Sequence, residues 1–232
     1  MLIAQNAEIL GTVVLSQLVN PGAMVIYGIL ATVTNMMTTV APTAAPEVGI
    51  ILQAGAQIAD FYGMPTRGDV GLSDSNCADF QAGSESAFHL VNAIHSRISI
   101  MPGLGSLGSR LIGSLEKLVL DAELVGYAKR MIKPLEFTEE SMAVDVIKKV
   151  GHKGNYISEQ HTFDHFKTEI YRPMVFVQQS LEYWEQNGRM DALANAHKKV
   201  NEILDNYEQP ALEKSIERDL DKYAETHYPG SM

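Results

Sequence analysis

The residues best placed to do chemistry lie in one loop, Gly68-Asp69-Val70-Gly71-Leu72-Ser73-Asp74-Ser75-Asn76, entered through Arg67, the first basic residue of the chain. Helical patterning before it stops at Tyr62-Gly63, where glycine suits the left-handed position that ends helices. Met64 to Arg67 is a short extended piece, and a new helical period begins near Cys77. In a strand-loop-helix unit of a parallel sheet, ligand groups collect in the loop beyond the strand's C-terminal end. Arg67, Asp69 and Asp74 therefore form a candidate binding cluster. The plainer alternative is a capped loop in which Asp74, Ser75 or Asn76 starts the next helix, with Arg67 paired to Asp69, Asp74 or Asp60. Both descriptions can hold at once.

Two other constellations carry weaker signals. Gly103-Leu104-Gly105-Ser106-Leu107-Gly108 fits G-x-G-x-x-G between a strand and a helix, a spacing used to cradle dinucleotide phosphates. Here the strand is third in order, and Asp121 and Glu123 fall inside a helix rather than at a strand end, which favours close packing of a loop over phosphate binding. His161 and His165, four apart, share a helix face and suggest a metal with Asp164 or Glu169. No cysteine or third clear ligand accompanies them, so no metal is expected.

The elements that must position these residues follow from charge and periodicity. The first 66 residues of the 232 carry only Glu8, Glu47 and Asp60, and no Lys or Arg, so this stretch is expected to be mostly buried. Gln17, Asn20, Pro21, Gly22, Asn35 and Pro42 interrupt it, so no run reaches the 18 or so apolar residues of a membrane span, and no basic start marks a signal peptide. Asn6 to Val19 reads as a helix and Ala23 to Gly28 as a strand buried on both faces. A long loop follows to Ala45, then a helix from Pro46 to Tyr62. Phe80, Ala87, Leu90, Val91 and Ile94 mark a further helix, Ile98 to Met101 a third strand, and Ser114 caps a helix through Val125. From Thr138 onward the pattern is helical: Glu139 to Val150, Met190 to Tyr207 and Ala211 to Tyr223.

The formal net charge of -10 argues against nucleic acid or an anionic membrane as partner. The single Cys77 excludes an internal disulfide and fits the cytoplasm. Three parallel strands leave open edges and cannot cover both sheet faces, so the uncharged first third reads as part of something larger.

Several stretches, taken in order, resemble the trimethylamine methyltransferase family: Asn20 to Ala23 leading into Val25 to Gly28, Tyr62 to Gly68, Ser73 to Ser75, Asp79 to Gly83, Leu118 to Glu123, Ala143 to Ile147 and His161 to Phe166. The likeness covers Asn6 to Tyr207. It implies an α/β fold, a partial TIM barrel comprising the C-terminal half with about three parallel βα units in residues 1–135, and a C-terminal helical extension over residues 136–232 packing on the barrel. It further implies methyl transfer from a small methylated amine to the Co(I) of a corrinoid (cobalamin) carried by a partner protein, with no cofactor bound directly.

In family members that act on trimethylamine, pyrrolysine stands in the loop that is Gly71-Leu72-Ser73 here; the matching residue is Leu72, which points to the branch using quaternary amines such as glycine betaine. A quaternary nitrogen has neither lone pair nor proton, so it is held by an aromatic face or a carboxylate. The resemblance thus makes Tyr27, at the end of the first strand, a cage candidate, although a strand-end tyrosine is commonly a packed residue with a bonded hydroxyl. Arg67 suits a betaine carboxylate through its two-pronged donor geometry. With Asp69, Leu72, Asp74 and His161 these complete the substrate-binding candidates; catalytic residues are not identified. Departures at Asn35-Met36-Met37, Asn76-Cys77-Ala78 and Pro102-Gly103 bear on substrate identity. The competing class is a catalytically incomplete fragment acting as an interaction protein. Association with a missing N-terminal half, or with copies of itself, is expected in either case.

Overall fold

A computed structural model describes residues 1–30 and 32–228. Ala31, in the stretch expected to be a loop, and residues 229–232, at the end of the expected helical extension, lie outside the described residues. The fold is mixed helix and sheet, and the chain divides into two units, Met1–Val200 and Asn201–Met232.

The first unit opens with α1 (Leu2–Val19), followed by β1 (Tyr27–Ile29), α2 (Pro46–Phe61), β2 (Thr66–Gly68) and α3 (Phe80–His95). A two-stranded hairpin, β3 (Ser106–Leu107) and β4 (Ile112–Gly113), precedes α4 (Leu115–Met131). β1 and β2 are parallel, with Tyr27 opposite Thr66 and Ile29 opposite Gly68. The expected third strand is reduced to a parallel bridge between Arg67 and Ile100, supported by the Gly68 amide on the Ile100 carbonyl at 3.1 Å and the Ile100 amide on the Thr66 carbonyl at 3.0 Å.

Local chemistry explains the boundaries. Pro46 opens α2, where its missing N–H costs nothing, and Gly63 ends it at φ 67°. Asp79, rather than Asp74, Ser75 or Asn76, caps α3 by accepting from the Ala82 amide at 2.9 Å; the Asp74 carboxylate is committed to Thr43, Ala44 and Ser109. Ser114 caps α4 as expected, accepting from the Lys117 amide at 3.1 Å. The first strand begins at Tyr27 rather than Ala23, because pairing starts where the Tyr27 amide reaches the Pro65 carbonyl.

One face of the sheet is packed against the helices. Tyr27, Ile29, Leu52, Ala59, Val70 and Ile98 belong to a single buried cluster there. The opposite face is open: Ile26 is 49% exposed, Leu30 59% and Ile100 46%. α1 is similarly uncovered. It has no buried residue, although Asn6 bonds the hydroxyls of Tyr62 and Tyr27 at 3.2 and 3.1 Å, fixing one side against the protein. By length and composition α1 is long and apolar enough to cross a membrane, with a mean hydropathy of 1.4, which corrects the expectation that no stretch reaches that length.

Packing is close where α2 meets β1. A Cβ on Gly55 would lie 2.8 to 3.1 Å from three side-chain carbons of buried Ile29. Gly55→Ala is expected to destabilise, since overpacking costs about 1–3 kcal/mol and the gain in helix propensity offsets only about 1 kcal/mol of that. A thermal melt that rises instead would show that Ile29 yields freely.

Beyond α4 the expected continuous helix from Glu139 is two, α5 (Glu139–Met142) and α6 (Val144–Val150), because Ala143 sits at φ 47°, ψ 35°. Thr138 caps the first of them. α7 (Gln160–His165) and α8 (Leu181–Gln186) are short, and α9 (Ala192–Asp205) brings Ala196 and Val200 onto Val119 and Val175. In the second unit α10 (Lys214–His227) is amphipathic, with Ile216, Leu220 and Tyr223 along one stripe.

Candidate functional site

Alternation along β2 decides which way Arg67 faces. Thr66 is buried, and a Cβ on Gly68 would meet Leu52 of α2, so these two face the helices and Arg67 faces the open side. Two residues on, Asp69 lies with Oδ1 2.9 Å from the Arg67 guanidinium. Its other oxygen is paired with Arg110. Oδ1 is buried yet receives no aligned hydrogen bond, so the Arg67 contact is a charge contact and Arg67 keeps its donors for another acceptor. Two guanidiniums around one carboxylate leave one positive charge in excess.

Arg110 comes from the turn between β3 and β4, where Ser109 and Arg110 both take positive φ, 54° and 78°. Such backbone is uncommon for residues with a Cβ, and it is held from both sides: Arg110 by Asp69, and Ser109 by a 2.7 Å bond from its hydroxyl to Asp74 Oδ1. Beside the pair opens a cavity of about 250 Å³ between the ends of β1 and β2 and the start of α2. Its walls are largely apolar, with Leu30, Ile51 and Leu72, and Asp69 and Arg110 stand at one side.

Leu72 is buried and packs on the backbone of Gly103, where a Cβ would come 2.9 Å from Leu72 Cδ2. The glycines of the G-x-G-x-x-G stretch all have positive φ and serve such approaches, with Gly105 against Leu118 and Gly108 against Asn76.

Asp74 ties three loops together. Oδ1 accepts from the Thr43 amide at 2.8 Å and its hydroxyl at 3.1 Å, and Oδ2 from the Ala44 amide at 3.1 Å, in addition to Ser109. Desolvation opposes its charge, but the bonds from Ser109, Thr43 and Ala44 together outweigh that and hold the carboxyl below the usual carboxylate range. A depressed folded-state pKa contributes stability that is complete above the unfolded value, about 3.9, and is lost as pH falls through the folded value. Acid melts of the wild type should therefore lose more stability below about pH 4 than those of Asp74→Ala. At neutral pH that variant is expected to be less stable by about 1–3 kcal/mol, for the donors left unmatched.

The sequence candidates thus divide. Asp69 and Leu72 border the cavity, Arg67 adjoins it through its contact with Asp69, and Asp74 through its bonds to Thr43; Tyr27 and His161 do not border it. Tyr27 starts β1 rather than ending it, and its ring is fully buried against α1 and α2. Burial pushes its phenol up. The ring of His161 bonds the Glu140 carbonyl at 2.9 Å and lies 4.4 Å from that of His165. Among the described residues no group of three or more His, Cys, Asp or Glu could hold a metal ion.

Arg110 was not anticipated, nor was half-buried Glu85, whose Oε2 accepts from the Ser73 hydroxyl at 2.6 Å and the Asp74 amide at 2.9 Å. The usable signal for Arg110 was its place as the one cation in the glycine-rich stretch from Pro102 to Gly113.

Residues 1–228 match the family described as trimethylamine methyltransferase (MTTB). The chain is 34% identical over 220 residues to a glycine betaine methyltransferase of Desulfitobacterium hafniense strain Y51, covering 94% of this chain and 46% of that protein. It is 33% identical over 215 residues to the trimethylamine methyltransferase MttB of Desulfitobacterium hafniense strain DCB-2, covering 93% and 43%. To MttB of Methanosarcina barkeri strain Fusaro it is 32% identical over 219 residues, covering 94% and 44%. The chain therefore spans about half the length of the curated relatives it matches.

Proposed function

Because this chain belongs to the trimethylamine methyltransferase family, we propose that it forms the C-terminal part of a TIM barrel whose mouth binds a carboxylated quaternary amine, such as glycine betaine, and presents a methyl group to the Co(I) of a separate corrinoid protein. The observation that carries the substrate class is the Arg67–Asp69–Arg110 cluster beside an apolar cavity. Its excess positive charge suits an anionic group, which a betaine has and trimethylamine lacks. The cavity's apolar walls suit methyl groups. Leu72, buried on the cavity wall, brings no covalent or proton chemistry of its own.

Such a site needs little else. The corrinoid supplies the nucleophile. When the methyl carbon is attacked, the carbon–nitrogen bond breaks with its electron pair staying on nitrogen, and a neutral tertiary amine leaves without needing a proton. The chain's own task is to grip the carboxylate through Arg67 and Arg110, orient the methyl group and keep water away.

The barrel reading is supported by the strand arrangement. Parallel sheets are covered on both faces, whereas here Ile26, Leu30 and Ile100 are open to solvent and β1 has a free edge. A further set of βα units, of the kind the relatives' remaining length would supply, fits there. On this reading residues 1–135 are the barrel part and the residues from 136 onward a helical extension. The exposed thiol of Cys77 suits a reducing, cytoplasmic setting.

The test pairs this chain with the N-terminal half of a full-length relative and follows methyl transfer to reduced cobalamin by absorbance. Glycine betaine should serve as donor and trimethylamine should not. Transfer from trimethylamine with none from any betaine would sink the proposal.

A further inference from the structure

Lys117, in the first turn of α4, is only 2% exposed, a condition lysine almost never meets without a partner. Its ammonium has three donors and all are used: the Gly71 carbonyl at 2.8 Å, the Ser86 hydroxyl at 2.7 Å and Asp121 Oδ2 at 2.7 Å. Asp121 Oδ2 also accepts from the Gly105 amide at 2.7 Å. The Ser86 hydroxyl in turn donates to the Gly71 carbonyl at 3.3 Å. One buried ion pair therefore grips two backbone segments that are 34 residues apart, at Gly71 and Gly105. They approach closely, since a Cβ on Gly71 would lie 2.4 Å from Leu104 Cδ2.

The two segments carry different parts of the site. Leu72 and Asp74 follow Gly71, whereas Ser109 and Arg110 lie beyond Gly105. A buried ion pair adds little net stability over apolar residues of the same volume. What it does supply is direction, because each donor and acceptor fixes a distance and an angle. We propose that Lys117 and Asp121 are positioning residues: they hold the loop bearing Leu72 in register with the loop bearing Arg110. They thereby set the spacing between the apolar wall and the guanidinium that receives a carboxylate. The ligand half of this inference rests on the substrate reading above; the loop half does not.

The experiment uses the full chain with Lys117→Met and Asp121→Leu together, which removes the ion pair without stranding a charge. Hydrogen exchange is expected to quicken about tenfold, the effect of losing one such anchor, at amides 70–76 and 103–110, while amides inside α3 and α4 keep their protection. Unchanged loops, or a uniform rise everywhere, would overturn the proposal. If the double variant does not fold, Ser86→Ala removes one bond to Lys117 and should give a smaller rise confined to the same two segments; a rise elsewhere counts against it. Ligand-observed NMR with glycine betaine, and with choline as the probe lacking a carboxylate, separates the two readings. In the double variant betaine should weaken about tenfold, roughly one anchoring contact, with choline unchanged; equal loss for both probes overturns the positioning role. Should the wild type show no preference for betaine, the substrate reading fails while the exchange data still decide the clamp.

Discussion

Supplied with glycine betaine and reduced cobalamin, the chain by itself should give no methyl transfer above background, and adding the N-terminal half of a full-length relative should raise the rate by at least about five orders of magnitude, the lower end of what orientation supplies. The catalytic mouth of such a barrel is assembled from loops after several different strands. Among the described residues two parallel strands and one bridge are present, and the face that a barrel would enclose is open at Ile26, Leu30 and Ile100. A substrate held by Arg67 and Arg110 alone is tethered at one end and free to swing. Correct orientation accounts for about 7–11 kcal/mol of a barrier, so loss of the opposing wall removes most of the rate. Sustained turnover by a purified monomer would show that the groups described here suffice.

The second large effect falls on Glu123. It is 1% exposed, and its oxygens accept from the Tyr171 hydroxyl at 2.7 Å, the Met174 amide at 2.5 Å and the Val175 amide at 2.6 Å. Tyr171 lies over Gly126, where a Cβ would meet its hydroxyl. Hydrogen bonds to a charged group are worth about 1.5–3 kcal/mol each; Glu123→Ala strands the buried Val175 amide, removes the acceptor of the part-buried Met174 amide and frees the 171–175 segment, for a combined loss of about 3 kcal/mol or more. For a chain of this size the melting temperature should fall by roughly 6–12 °C. Tyr171→Phe, which removes a single bond, should lose far less, and equal losses would contradict this account. Burial, with the neighbouring Glu123 carboxylate, pushes the Tyr171 phenol up to about 12. Because the folded state holds this proton more tightly than the unfolded chain, the contribution is complete below about pH 10 and lost between there and about 12.

The distribution of foresight between sequence and structure has physical causes. Short-range signals were legible: Ser114 and Thr138 as caps, Gly63 as a terminator, and the Arg67 loop as the place where charged groups gather. Asp79 was missed as a cap because Asp74, an equally good candidate by type, is drawn away by Thr43, Ala44 and Ser109, 30 to 35 residues distant in sequence. Arg110 was missed for the same reason, since its partner Asp69 lies 41 residues earlier. Tyr27 was expected at a strand's end because apolar Ala23 to Ile26 looks like a strand, but only backbone pairing defines one, and pairing begins at Tyr27. Lys117 and Asp121 were a readable oddity, charges four apart in the apolar face of a helix, yet nothing local says that they close over Gly71 and Gly105.

The near absence of charge in α1 and β1 also dictates how that surface would associate. With Glu8 the sole charged side chain before Glu47, a complementary half docking there would gain almost nothing from long-range attraction. Its rate of capture should be nearly indifferent to ionic strength. The driving force would be release of water from apolar surface, which carries a large negative heat-capacity change and weakens on cooling. Reconstitution should therefore proceed in high salt and at warm temperature, and fail first in the cold room.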